Sequence, residues 1–86
     1  MEIKKEVYLR EIGGEYVLIP VGKTVDEFNG IFSLTPSGAV IFKAISEGAD
    51  EDGILAAVLS EFDVPENEAR ADIKEFLTRL QSYGIV

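Results

Sequence analysis

The stretch Asn29-Gly30-Ile31-Phe32-Ser33-Leu34-Thr35-Pro36-Ser37-Gly38 divides the chain into two halves of different hydrophobic period. Before it, apolar residues fall in short runs suited to strands. After it, they recur at the three- and four-residue spacing of helices. Asn-Gly is a turn signal because both residues tolerate positive φ, and Ile31-Phe32-Ser33-Leu34 then reads as one short strand. Thr35 can cap a helix through its hydroxyl, and Pro36 suits the first helical position, where a missing N–H costs nothing.

The first half predicts a hairpin. Val7 to Ile12 and Glu15 to Ile19 flank Gly13-Gly14, a pair that permits the primed two-residue turns hairpins prefer. That loop length pairs Ile12 with Glu15, Leu9 with Leu18 and Tyr8 with Ile19. Val7, Leu9 and Leu18 then share one face and Tyr8, Val17 and Ile19 the other, so both faces are expected to be partly covered. Pro20 is expected to end the second strand or confine it to an edge, and Val21 to Phe28 reads as a polar surface connection.

The second half predicts three helices. Gly38, Ile41, Phe42 and Ile45 mark the first, from Pro36 to about Glu47, with Gly48 as its left-handed stop. Asp50 is the expected cap of the second, with Glu51 and Asp52 favoured by the dipole of its first turn and Ile54, Leu55, Val58, Leu59 and Phe62 as its stripe. Gly53 weakens this helix by roughly 1 kcal/mol unless it serves a close crossing. The third helix is expected from Pro65 or Glu66 to about Tyr83, with Gly84 as its stop and Ile85-Val86 folding back. Ala69, Ile73, Phe76, Leu80 and Tyr83 form its stripe. Leu77 widens that stripe beside Arg70 and Lys74, while Asp72 and Arg79 border the other side. Glu66–Arg70 and Glu75–Arg79 have the spacing of helical ion pairs.

Composition narrows the function. Eighty-six residues with 47% hydrophobic content can build one core, so residues 1–86 are expected to form a single α+β domain. Zero Cys and zero His exclude thiol nucleophiles, imidazole bases and thiolate or imidazole metal sites. No cofactor is implied. No apolar run approaches a membrane span, which predicts a soluble, cytoplasmic protein. Eight basic against sixteen acidic residues give a net charge of −8, with eight acids and no base between Glu47 and Glu68. Phosphate backbones need clustered Lys and Arg, so nucleic acid is an unfavoured partner, and the acidic run reads first as a solvated face and second as a docking surface for a basic partner.

Four blocks carry a family resemblance: YLREIGGEYVLIPVG, FNGIFSLTPSGAVIF, EGADEDGILAAVLSEFDVP and EARADIKEFLTRLQSYGIV. Together they resemble the PqqD-like family, named for the pyrroloquinoline quinone biosynthesis protein D. Where that family usually has Leu-Asn before the first helix, this chain has Leu34-Thr35, which keeps a capping residue in place. The resemblance implies a winged-helix-like domain, a three-stranded antiparallel sheet followed by three helices, that acts as a precursor peptide recognition element. Such domains are not enzymes. They bind the leader segment of a ribosomally made peptide and present it to a modifying enzyme, such as a radical S-adenosylmethionine enzyme or a cyclising or protease partner.

In that family the leader adds as a strand beside the third strand, with the third helix as the other wall. Carried onto this chain, the expected contacts are Ile31, Phe32, Ser33 and Leu34 on the strand and Arg70, Ile73, Lys74 and Leu77 on the helix. Apolar leader residues are then expected near Ile73 and Leu77 and acidic ones near Arg70 and Lys74, and Phe32→Pro should remove a docking N–H. A handful of strand hydrogen bonds at roughly 0.5–1.5 kcal/mol each would barely offset an association cost of at least ~4 kcal/mol, so side-chain pockets must add affinity.

Other classes fit less well. A winged-helix DNA-binding regulator would need more exposed cations than Arg70, Lys74 and Arg79 on a third helix that also carries Asp72 and Glu75. A subunit that only stabilises an enzyme complex is compatible with the same pattern, as is a homodimer formed through an open sheet edge. Catalysis by a carboxylate pair drawn from Asp63, Glu66 and Asp72 is the weakest reading, because acids at helix starts are explained by the dipole.

Overall fold

The computed structural model describes residues 2–27 and 32–86. Three strands, β1 (Val7–Ile12), β2 (Glu15–Pro20) and β3 (Phe32–Leu34), precede three helices, α1 (Pro36–Ser46), α2 (Glu51–Glu61) and α3 (Glu66–Ser82). The sheet is antiparallel in the order β1-β2-β3. The expected turn at Asn29-Gly30, and Ile31 of the expected strand, lie outside the described residues.

Gly13 and Gly14 both have positive φ, 58° and 84°, the signature of a type I′ turn, and the pairing Ile12↔Glu15, Leu9↔Leu18, Tyr8↔Ile19 follows from that two-residue loop. β2 is the central strand and ends at Pro20. Within the expected surface connection, Gly22–Glu27 forms a 3₁₀ helix, tied to the chain before β1 by the Glu6 N–H donating to the buried Thr24 Oγ1 at 3.0 Å, and Phe28 lies outside the described residues.

The helices lie on the face of the sheet that carries Leu18 and Leu34. The largest fully buried side chains are Leu18, Ile41, Ile54, Leu80 and Ile85, one each from β2, α1, α2, α3 and the C-terminal tail. The central strand, the three helices and the tail therefore each contribute one anchor, which is how a small chain closes a core without staples. The back of the sheet is only partly covered, for Val17 is buried while Tyr8 and Ile12 on the same face are 57% and 56% exposed.

Helix ends follow local chemistry. The Gly38 N–H donates to Thr35 Oγ1 at 3.1 Å with Pro36 at the first position, and the Gly53 N–H donates to Asp50 Oδ1 at 2.8 Å. Gly53 is thereby explained without a helix crossing: a Cβ there would meet Ala49 Cβ at 3.1 Å and Asp50 Oδ1 at 3.3 Å, both belonging to its own cap. Gly48 and Gly84 stop α1 and α3 in the left-handed region. The α2 stripe is narrower than expected, with Ile54, Leu55 and Val58 buried and Leu59 and Phe62 half-buried. Tyr83, expected in the α3 stripe, is 49% exposed at the end of that helix.

Replacing Thr35 with Ala removes the α1 cap and is expected to cost about 1 kcal/mol, or roughly 4–8 °C in Tm for a domain of this size, with Thr35→Ser restoring most of it. Thermal melts of the three proteins check this, and an Ala variant melting with the wild type would refute it.

Candidate functional site

Each residue in a strand points its N–H and C=O to one side, so a ladder has a parity that can be counted. The two residues flanking a type I′ loop form a hydrogen-bonded pair, and such pairs alternate with non-bonded ones along an antiparallel ladder. From Ile12↔Glu15, the bonded pairs are therefore Arg10↔Val17 and Tyr8↔Ile19. Pro20 falls in a non-bonded position opposite Val7, so its missing N–H breaks no bond to β1. The main-chain groups of Tyr16 and Leu18 point the other way, to their partners Leu34 and Phe32 on β3. Ser33, opposite Val17, must then direct both its N–H and its C=O away from β2.

This counting identifies the free edge. Within β3 only Ser33 offers a main-chain donor and acceptor outward; those of Phe32 and Leu34 are engaged with β2. The expectation that Phe32→Pro would remove a docking N–H is corrected accordingly, since it would break the ladder to Leu18. The side chains divide oppositely. Leu34 is buried and Phe32 half-buried on the helical face, and Ser33 is exposed on the back.

α3 lies alongside that edge. The Phe32 ring meets Tyr83 edge-on, with centroids 4.9 Å apart at 90°, and the Arg79 guanidinium lies 5.0 Å from the Phe32 centroid. The expected Glu75–Arg79 ion pair does not form, because Arg79 turns to the aromatic face instead. A cleft of about 270 Å³ adjoins these groups, lined by Thr35, Gly38, Ile41, Asp72, Glu75, Phe76 and Arg79 among others. Gly38 sets its depth: a Cβ there would lie 3.0 Å from Phe76 Cε1, so the missing side chain admits the ring to the first turn of α1.

Arg70, Ile73, Lys74 and Leu77 come together, but elsewhere. They line a second cleft, of about 400 Å³, with Glu51 and Leu55 of α2, and Thr78 and Gln81 extend it. Arg70 Nε donates to Glu66 Oε2 at 3.2 Å on this exposed flank, as its spacing predicts. Arg70 and Arg79 are separated by about two and a half helical turns and so occupy opposite sides of α3. Of the expected strand residues, Phe32 thus meets Arg79 and Tyr83 near the C-terminal end of α3, whereas the four expected helix residues line the cleft shared with α2. Ile31 lies outside the described residues. Sequence periodicity located both flanks of α3 but not which one meets the sheet.

Among the described residues no group of His, Cys, Asp and Glu is placed to hold a metal ion, and no helix is long and apolar enough to cross a membrane. The arrangement offers a one-residue main-chain edge, an aromatic-cation cluster and a cleft with an apolar floor (Ile41 and Phe76 are buried) and a rim of both charges. These are features of a surface that holds an extended chain.

No curated protein sequence matches the chain significantly. A solved structure described as TbiB1 in complex with the TbiA(beta) leader peptide is similar to it, with a TM-score of 0.76 and 26% identity over 99% of this chain and 93% of that one. The family model described as coenzyme PQQ synthesis protein D (PqqD) matches residues 15–86, from β2 through the C-terminus. The strands and helices that build the groove between β3 and α3 all lie within that match, and the chain belongs to the PqqD family.

Proposed function

We propose that this chain is a peptide-binding recognition element that takes the leader segment of a ribosomally made precursor as an added strand on β3 and presents the rest of the precursor to a modifying enzyme. The observation that carries the reading is the outward Ser33 edge beside α3, in a fold shared with a protein solved with a leader peptide. Within this reading the domain is one binding unit over residues 1–86, and its chemistry is supplied by the enzyme partner.

The geometry favours a division of labour. Ser33 can form one hydrogen-bonded pair with the leader, two bonds worth about 0.5–1.5 kcal/mol each, against an association cost of at least ~4 kcal/mol. The edge therefore sets register and direction. Affinity comes from the leader side chains on either side of the residue opposite Ser33, because alternation places them on the helical face with Phe32 and Leu34. One of these meets Arg79 and Tyr83, where a carboxylate is favoured. The other enters the cleft over Ile41 and Phe76, where an apolar side chain is favoured. This relocates the leader-binding wall from Arg70, Ile73, Lys74 and Leu77 to Phe76, Arg79 and Tyr83.

Titration with the leader of the precursor encoded beside this gene tests both parts. Ser33→Pro removes an N–H that serves no ladder bond, so the variant should keep its fold and lose leader affinity by about tenfold, while Phe32→Pro should lower Tm because it breaks the bond to Leu18. Unchanged leader affinity in folded Ser33→Pro would overturn strand addition on β3.

Charge reversal separates the two flanks of α3. Arg79→Glu is expected to weaken the leader by more than tenfold, and Arg70→Glu or Lys74→Glu by less than threefold, in the same calorimetric titration. The opposite ranking would return the wall to the α2 side.

A further inference from the structure

The parity that leaves Ser33 outward on β3 leaves three residues outward on β1. Val7, Leu9 and Glu11 occupy the non-bonded positions opposite Pro20, Leu18 and Tyr16, so their N–H and C=O groups point away from β2, six main-chain groups where β3 has two. Those groups find no partner among the described residues. Edges of this length are usually covered or blunted by charge, because they template another strand.

The surroundings of the β1 edge suit an incoming strand on both faces. On the helical face it borders a cleft of about 370 Å³, lined by Leu9, Tyr16, Val40 and Ala57 and rimmed by Lys43, Glu47 and Glu61. The rim itself holds two carboxylates and one ammonium, and Glu11, exposed on the same face of β1 two residues beyond Leu9, adds a third carboxylate along the strand edge. On the back face the same strand exposes Tyr8 and Ile12, with the Arg10 guanidinium 6.0 Å from the Tyr8 ring centroid.

We propose that the β1 edge is a second strand-addition site, which takes an extended, basic segment of the modifying enzyme while β3 holds the leader. Charge selects the occupant. A second copy would bring its own Glu11, Glu47 and Glu61 to the same edge, on a chain of net charge −8, whereas a segment with Lys or Arg opposite Glu11 and apolar residues opposite Leu9 and beside Ile12 meets complementary groups at each position. The two edges lie on opposite sides of the sheet, so one domain bridges peptide and enzyme without competition between them. This inference rests on the reading of the chain as a leader-binding partner of an enzyme.

The experiment uses the full chain, the modifying enzyme encoded beside it and the leader peptide. Glu11→Pro removes an outward N–H and one edge charge from an exposed position without touching the β1–β2 bonds, and Glu61→Lys alters only the rim. Both variants should bind the leader as the wild type does. Enzyme affinity should fall by about tenfold for Glu11→Pro and several-fold for Glu61→Lys, and Ser33→Pro should show the reverse pattern. Hydrogen exchange should show the Val7, Leu9 and Glu11 amides protected in the enzyme complex. Unprotected amides, an enzyme affinity indifferent to Glu11→Pro, or a dimer of this chain that Glu11→Pro dissolves would each overturn the proposal. Failure of the wild-type chain to bind any leader would instead overturn the function on which it rests.

Discussion

A strand residue cannot send its N–H one way and its C=O the other, and this constraint on β2 organises the sheet. Gly13 and Gly14 adopt the left-handed conformations of a type I′ turn, which makes Ile12 and Glu15 a bonded pair and assigns every later residue of β2 to one neighbour or the other. Val17 serves β1; Tyr16 and Leu18 serve β3. The exposure of Ser33, and of Val7, Leu9 and Glu11 on the far edge, is a consequence of that assignment. Leu18 joins the two levels, since its main chain bonds to β3 while its side chain is among the most deeply buried in the core.

The helices convert an open edge into a groove. α3 is held through Ala69, Ile73, Phe76 and Leu80, all buried, and its rotation about its own axis is set by that face. One flank then faces α2 and the opposite flank faces β3. Phe76 approaches α1 at Gly38, and Arg79 and Tyr83 reach Phe32. A cation over an aromatic ring at a partly exposed site contributes about 0.5–1 kcal/mol, enough to draw Arg79 from the surface pair that its spacing with Glu75 would allow. The same groups are therefore structural in the free protein, whatever they contact in the proposed complex.

Electrostatics gives the two edges different characters. The β3 groove contains Arg79 beside Asp72 and Glu75, a mixed rim that can select polarity along a bound chain. The β1 cleft is rimmed by Glu47 and Glu61 with Lys43, and Glu11 is exposed on the same face of β1 outside its lining. These are the two edges at which the proposed leader and the proposed enzyme segment would add.

Much of the architecture was legible in the residues. The turn glycines, the hairpin register, the Thr35 and Asp50 caps, the Gly48 and Gly84 stops and the burial of Ile85 follow from local backbone chemistry and hydrophobic period, which act over a few residues and leave their mark in sequence. The strand-to-helix change at Asn29–Gly38 correctly divided sheet from helices. What periodicity could not supply was the orientation of α3 relative to β3, because a stripe identifies the buried face and is symmetric about it: Arg70 and Lys74 border one side as Asp72 and Arg79 border the other. Nor could it show which strand N–H groups were free, since that depends on the pairing of β2 with both neighbours. Those two facts arise only when separate elements pack, and on them rests the proposal that the leader meets Ser33, Phe76, Arg79 and Tyr83 in place of Arg70 and Lys74.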